Sequence, residues 1–203
     1  MKITKITAQV KQAGRYSVFV DEKYAFSLSD TALLESKLVP GQDLSSEELE
    51  SWKQASVDDK VLGRALQYAM MRPRSRWEME SYLKRKKASP PLIESILNKL
   101  SNLRMLNDLE FARSWVASRR LLRPTSKRKL QQELRAKRVG DDIVAQVLGE
   151  DETEESVVLK ELVAKKRQQT KFKYDNLKLM QYLARQGFSY GDIKSALEVD
   201  TED

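Results

Sequence analysis

Cysteine and histidine are both missing from this 203-residue chain. Without cysteine there is no disulfide, no thiolate nucleophile and no zinc ribbon, and the composition suits a reducing compartment. Without histidine the commonest general base and metal ligand are gone, which excludes Ser–His triads and His-metal sites. Glycine is scarce as well. Its seven residues are scattered among turns and build no phosphate-cradling loop, so an ATPase is not expected. No stretch approaches the ~18 apolar residues of a membrane span, and the segment MKITKITAQV lacks the apolar run of a signal peptide. The expectation is a cytoplasmic protein with no membrane contact, no cofactor and no enzymatic activity.

Charge is what the chain has in quantity. Charged residues make up 33% and hydrophobic residues 40%, which suits a helix-rich protein with a thin core. The net charge of +7 is unevenly placed. Residues 58–149 carry 21 basic and 10 acidic side chains, whereas the flanking segments 1–57 and 150–203 are each slightly acidic. Such segregation points to a polyanion contact more than to general solubility. The peak is Arg119–Val139, with nine Lys/Arg against one acid, Glu133.

The first 28 residues are patterned unlike the rest. Ile3, Ile6 and Val10, then Val18, Phe19 and Val20, then Tyr24, Phe26 and Leu28 are β-branched, aromatic or apolar and partly alternating. Gly14 and Asp21-Glu22 supply the turns, so three short antiparallel strands are expected. Ser29-Asp30 caps a short helix to about Lys37, ended by Pro40-Gly41. Ser45 and Glu48 have capping-box spacing for a further helix to about Ala55. Together these form a small α+β cap over residues 1–55.

From Ser56 the apolar period becomes helical. Leu62, Ala65-Leu66 and Ala69 make one stripe, Phe111-Ala112, Trp115-Val116 and Arg119 a second, and Val158-Leu159, Leu162-Val163 and Lys166 a third. A second helix follows each. With Leu83, Leu134 and Leu183 taken as equivalent, the periods are 51 and 49. Ser75, Ser126 and Asp175 stand eight residues earlier as N-caps, and Met79, Leu130 and Leu179 four residues earlier on the same face. Pro73 and Pro124 stand ten residues earlier, with Lys173 in the third copy. Third helices carry Ile93/Leu97/Leu100, Ile143/Val147 and Ile193/Leu197, with Gly187 the clearest C-cap of the set. The economical reading is a mainly α protein: three tandem three-helix repeats over 56–105, 106–149 and 150–203, stacked as an elongated curved array.

Two basic clusters occupy corresponding repeat positions. The first is Arg72, Arg74, Arg76, Lys84, Arg85, Lys86 and Lys87; the second is Arg119, Arg120, Arg123, Lys127, Arg128, Lys129, Arg135, Lys137 and Arg138. For any single Lys a solvated helix face is the better reading. For the clusters binding is favoured, because few acids are interleaved; Arg offers a bidentate fork to phosphate or carboxylate and Lys a point charge. Trp115 lies on an apolar stripe and reads as core, whereas Trp77 at a helix start suits either exposure or packing on a neighbouring repeat. Asp58-Asp59 and Asp141-Asp142 read as caps. Glu150 to Glu155 is a run that charges a helix N-terminus, not a convergent metal set.

The order and spacing of these motifs resemble the RecX family, bacterial regulators of the RecA recombinase. The resemblance rests on Leu106-Asn107-Asp108, Phe111-Ala112, Trp115-Val116, Arg119, Leu130 and Glu133-Leu134 in the second repeat. Arg74-Ser75-Arg76 with Leu83 and Tyr182-Leu183 with Arg185-Gln186-Gly187-Phe188-Ser189 carry it into the other two. It covers about residues 57–198, and the strands resemble the N-terminal extension of longer members. The sequence departs from the family where Lys86-Lys87-Ala88 and Arg138-Val139 stand in place of Lys-Gly, and where Arg123-Pro124-Thr125 replaces a glycine-containing turn. The resemblance implies a non-enzymatic monomer that lies along the RecA–DNA filament and lowers its ATPase and strand-exchange activity in recombination, repair and the SOS response. Direct, salt-dependent contact with single- or double-stranded DNA is implied for some members. Two other readings of the residues stay open: a general nucleic-acid-binding protein using one trio as a helix-turn-helix, and an adaptor for an acidic protein partner.

Overall fold

The computed structural model describes residues 1–199, and of Val199 the backbone alone. It is mainly helical, with a three-stranded sheet at the N-terminal end and ten helices among the described residues. The chain divides into two compact units. One comprises Met1–Arg72 with Met79–Leu103; the other comprises Pro73–Glu78 with the chain from Arg104 onward.

In the first unit, β1 (Ile3–Ala8), β2 (Arg15–Val20) and β3 (Lys23–Ser29) pair antiparallel in the order β1-β2-β3. Asp21 and Glu22 both take left-handed backbone angles, which gives the two-residue β2–β3 turn the twist a tight hairpin needs. The buried face holds Ile3, Val18, Val20, Phe26 and Leu28, closed by Leu38, Leu44 and Leu49. Ser29 caps α1 (Asp30–Ser36), and Ser45 and Glu48 complete a reciprocal capping box on α2 (Ser46–Met70).

The helix expected to stop near Ala55 instead runs unbroken to Met70. No Pro interrupts it, and its inward face continues from Leu49 through Ser56 to Val61, Ala65 and Ala69. Asp58 and Asp59 are therefore mid-helix and not caps. Asp59 ties α2 to the sheet: it meets the Arg15 guanidinium at 2.9 Å and accepts from the Ser29 hydroxyl and amide at 2.6 and 2.9 Å. Ser56 makes a parallel link, donating to the Ser27 carbonyl at 2.6 Å and accepting from its amide at 3.2 Å. The three strands thus gain on α2 the second layer that a lone small sheet lacks. Tyr68 of α2 stacks on Tyr82 of α3 (Arg76–Arg85) with centroids 4.1 Å apart, and α4 (Pro90–Asn102) closes this trio.

The second unit holds two more trios: α5 (Asp108–Leu122), α6 (Lys127–Ala136) and α7 (Asp141–Glu150), then α8 (Glu155–Arg167), α9 (Asn176–Arg185) and α10 (Tyr190–Val199). Each has its own core, around Phe111, Leu130 and Leu134 in one and Leu159, Leu179 and Leu183 in the other. Ser75, Ser126 and Asp175 cap as expected, accepting from amides three residues on, and Asn107 caps α5; Asp141 and Asp142, expected as caps, stand instead in the first turn of α7, whose N-cap is Gly140.

The middle helices of all three trios also end alike. Lys87, Arg138 and Gly187, at the repeat spacings of 51 and 49, all have positive φ (59, 54 and 92°). Behind them the amides of Ala88, Val139 and Phe188 reach back to the carbonyls of Leu83, Leu134 and Leu183. This is the Schellman closure, normally built on glycine. In the first two trios a cation occupies the glycine position, and the exit keeps its geometry.

Candidate functional site

The middle helix of one trio starts where that of the next one ends, and this joint is made twice in the second unit. The Ser75 hydroxyl donates to the Lys137 carbonyl at 3.1 Å. At the equivalent place the Thr125 hydroxyl (2.7 Å) and Ser126 amide (3.1 Å) both donate to the Gln186 carbonyl. Gly187 sits directly beneath: a Cβ there would lie 2.3 Å from Ser126 Oγ and 2.8 Å from Lys129 Cβ. At this second joint these residues hold the start of α6 against the end of α9.

The structure divides the sixteen basic candidates into two groups. In the first, the charge already has a partner within the protein. Arg120 pairs with Asp151 at 2.6 Å, the side chains only 12% and 6% exposed, and also donates to the Thr125 carbonyl at 2.5 Å. Lys127 donates its ammonium to the Asp151 carbonyl at 2.6 Å and its amide to the Glu155 carboxylate. Lys137 meets the buried Glu78 at 2.7 Å, Arg119 meets Glu133 at 2.7 Å, and Arg135 and Lys84 form exposed pairs with Asp141 and Glu80. Arg74 is only 9% exposed. A basic run that reads as a uniformly available face is thus partly structural, because neighbouring turns bring acids distant in sequence against it. Burial works against the charge of Asp151, but hydrogen bonds from Arg120 and Thr153 outweigh it and hold the carboxyl below the ordinary aspartate range.

The second group faces outward. Arg72 is exposed and Arg76 half-buried, though each also has an interaction within the protein, and Arg85, Lys86 and Lys87 cluster at the exposed end of α3, Lys86 5.4 Å from the Tyr82 ring centroid. Arg123 and Arg128 are exposed and Lys129 half-exposed. Arg138 lies 5.9 Å over the ring of Trp77. Trp115 is half-buried and fully engaged: its N–H donates to Glu133 at 2.9 Å, while Arg119 and Lys137 stand 4.6 and 5.3 Å from its ring centroid. It is not open to a stacking base.

Part of the outward group converges. Between α5–α6 and α8–α9 lies an open cavity of about 470 Å³, whose lining includes Arg119, Arg123, Lys129, Lys165, Lys166 and Arg185. Glu133 is the one acid of the lining, and it is already paired with Arg119. Lys165, Lys166 and Arg185 were not among the sequence candidates, because they lie in a segment of net negative charge. A signal was nonetheless present: Lys166 closes the third apolar stripe as Arg119 closes the second. In the fold Lys166 stands 4.6 Å from the Tyr182 ring centroid, and Tyr182 holds the repeat position of Glu133. With Arg119 and Glu133 neutralising each other, the cleft keeps five further cationic heads, which attract phosphate or carboxylate groups. Among the described residues no acidic cluster capable of holding a metal occurs, and no helix is long and apolar enough to cross a membrane.

Three family models match the chain: "Regulatory protein RecX N-terminal domain" over residues 1–45, "RecX, first three-helix domain" over 62–100 and "RecX, second three-helix domain" over 107–148. The Regulatory protein RecX of Bacillus subtilis is 34% identical over 200 residues, covering 97% of this chain and 76% of that protein. That of Lactobacillus johnsonii is 37% identical over 153 residues, covering 75% of this chain but only 56% of its own length. A crystal structure of regulatory protein RecX superposes with a TM-score of 0.73 at 26% identity, over 97% of this chain and 98% of that one. RecX from Lactobacillus salivarius gives a TM-score of 0.57 at 25% identity, over 71% of this chain.

Proposed function

The chain belongs to the RecX family of regulatory proteins, and on that premise we propose that it is a non-enzymatic regulator that binds the RecA–DNA filament and restrains it. The observation that carries this reading is the cationic cleft between the second and third trios. Its lining offers guanidinium and ammonium donors and fixed positive charge. Arg123, Lys129, Lys165 and Arg185 would face phosphate oxygens of filament DNA or carboxylates of the protein coat. The second outward set, Arg85, Lys86 and Lys87 of the first trio, would make contacts of the same kind. The protein would act in the cytoplasm as a monomer, lowering the filament's ATP hydrolysis and strand exchange during recombination and repair.

The test is RecA ATPase and strand exchange on single-stranded DNA, with this protein at substoichiometric concentration. A fall in both is expected; indifference of both would sink the proposal. Retention on one duplex sequence irrespective of RecA would instead favour a helix-turn-helix reader.

A further inference from the structure

An open cavity of about 790 Å³ lies wholly within the first unit, between the β1–β2 loop, β3 and α2. Its volume is that of a small-molecule site. Lys11, Arg15, Lys60 and Arg64 line it, and none of its lining residues is acidic. Arg15 is already paired with Asp59 at 2.9 Å. Lys11, Lys60 and Arg64 are exposed, and none of them forms an ion pair among the described residues. Asp30, Asp58 and Asp59 line instead an adjoining hollow, which shares Arg15, Ser29 and Gly63 with this cavity.

Local structure fixes where the three unpaired cations stand. Lys60 and Arg64 are four residues apart on α2 and so share one face of it. Lys11 is carried by the β1–β2 loop, which is tied down: the Gln9 amide donates to the Arg15 carbonyl at 2.8 Å and the Asp30 amide to the Gly14 carbonyl at 2.9 Å. Between the two helical cations stands Gly63. Glycine is disfavoured inside a helix, and packing does not require it here, because a Cβ would meet nothing within 4 Å. Its bare backbone instead widens the floor of the cavity. A single carboxylate would engage one of the three cations. A chain of linked phosphates offers an anionic oxygen to each, with Arg64 as a bidentate fork and the lysines as point charges. We propose that this cavity binds the oligophosphate group of a small molecule through Lys11, Lys60 and Arg64. Inorganic polyphosphate and nucleoside triphosphates both carry that group. Tyr24, 53% exposed, lines the same cavity and offers its ring to a nucleobase. The site shares no residue with the cleft between the second and third trios and does not depend on filament binding.

The experiment is titration calorimetry at low salt, without divalent cations, on the full chain carrying R123E/K165E, which removes the competing charge of the cleft. Tripolyphosphate, ATP, citrate and oligo-dT are the probes. Tripolyphosphate and ATP are expected to bind, and citrate to bind at least about tenfold more weakly. Adding K60E/R64E is expected to weaken both phosphate probes by about tenfold or more, with thermal melting unchanged. Gly63→Leu, whose side chain has open space to enter, is expected to melt no lower and to weaken both by about threefold or more. ATP binding more tightly than tripolyphosphate assigns the group to a nucleotide; equal affinities assign it to inorganic polyphosphate. The inference is overturned if the R123E/K165E protein binds neither phosphate probe, if K60E/R64E leaves their binding undiminished, or if citrate matches tripolyphosphate. A protein that holds oligo-dT and neither small probe also overturns it, because the cavity would then belong to a nucleic-acid track.

Discussion

Arg120 sits in the most basic run of the chain, yet its charge serves the fold. It joins the end of α5 to Asp151 and to the Thr125 carbonyl, and Thr125 in turn holds Gln186 of the next trio. Removing one member of so buried a pair leaves the other uncompensated, so Asp151→Ala should lower unfolding free energy by about 3 kcal/mol, read by denaturant titration. The same carboxyl has a pH signature. Its native pKa lies below the ordinary aspartate value of 3.8. Its contribution is therefore complete above that value and is lost as pH falls through the native one. The stability difference between wild type and Asp151→Asn should accordingly narrow only in acid below the ordinary aspartate range. A difference that vanished near neutrality would show that the pair is not ionic. Glu150, held down to about 2 by hydrogen bonds from Arg113 and Gln146, lies on the exposed surface and is expected to matter little.

Among the elements, the middle helices show how much chemistry an identical geometry tolerates. Gly187 has φ +92° and lies against Ser126 and Lys129, so Gly187→Ala strains the backbone and collides with the next trio. A loss of about 1–3 kcal/mol in thermal or denaturant unfolding is expected. Lys87 holds the equivalent left-handed position with a Cβ in an exposed turn. Lys87→Gly should therefore stabilise, by about 0.5–1 kcal/mol. If that substitution destabilised the protein, the exit would not be the strained turn described. The length of α2 follows the same logic of context over local signal: Ser56 directs its hydroxyl to the sheet, and the helix passes through.

For the molecule as a whole, the positive excess of residues 58–149 overstates the charge available to a partner and omits part of where it converges. Arg120, Lys127 and Lys137 are committed internally, while Lys165, Lys166 and Arg185 of the acidic C-terminal segment join the cleft. If about six cations neutralise phosphates, log affinity should fall with log salt with a slope near −5 on duplex and −4 on single strands. Reversing Arg123, Arg128 and Lys165 to Glu should weaken single-strand affinity at least about tenfold and reduce that slope by about 2. Reversing Lys178 and Lys194, which form local exposed pairs with Asp175 and Glu198, should change neither. Equal losses in the two sets would place the interface elsewhere.

Much of this architecture is legible from local chemistry. Strand alternation, the capping serines, the 3.6-residue stripes and the spacings of 51 and 49 act over a few residues, so they can be read without knowing the fold. Trp115 is the boundary case: its stripe marks it as packed, but its engagement with Glu133, Arg119 and Lys137 depends on how α5 and α6 meet. The fate of each cation lay beyond the sequence for the same reason. Whether a guanidinium faces solvent or a carboxylate depends on residues 14 to 59 positions away, as Arg119–Glu133, Arg120–Asp151 and Lys137–Glu78 show. Periodicity places a side chain on a helix; the packing of α5 against α7 brings Asp151 onto Arg120, and the packing of one trio against the next gathers Arg123, Lys165 and Arg185 around one cleft.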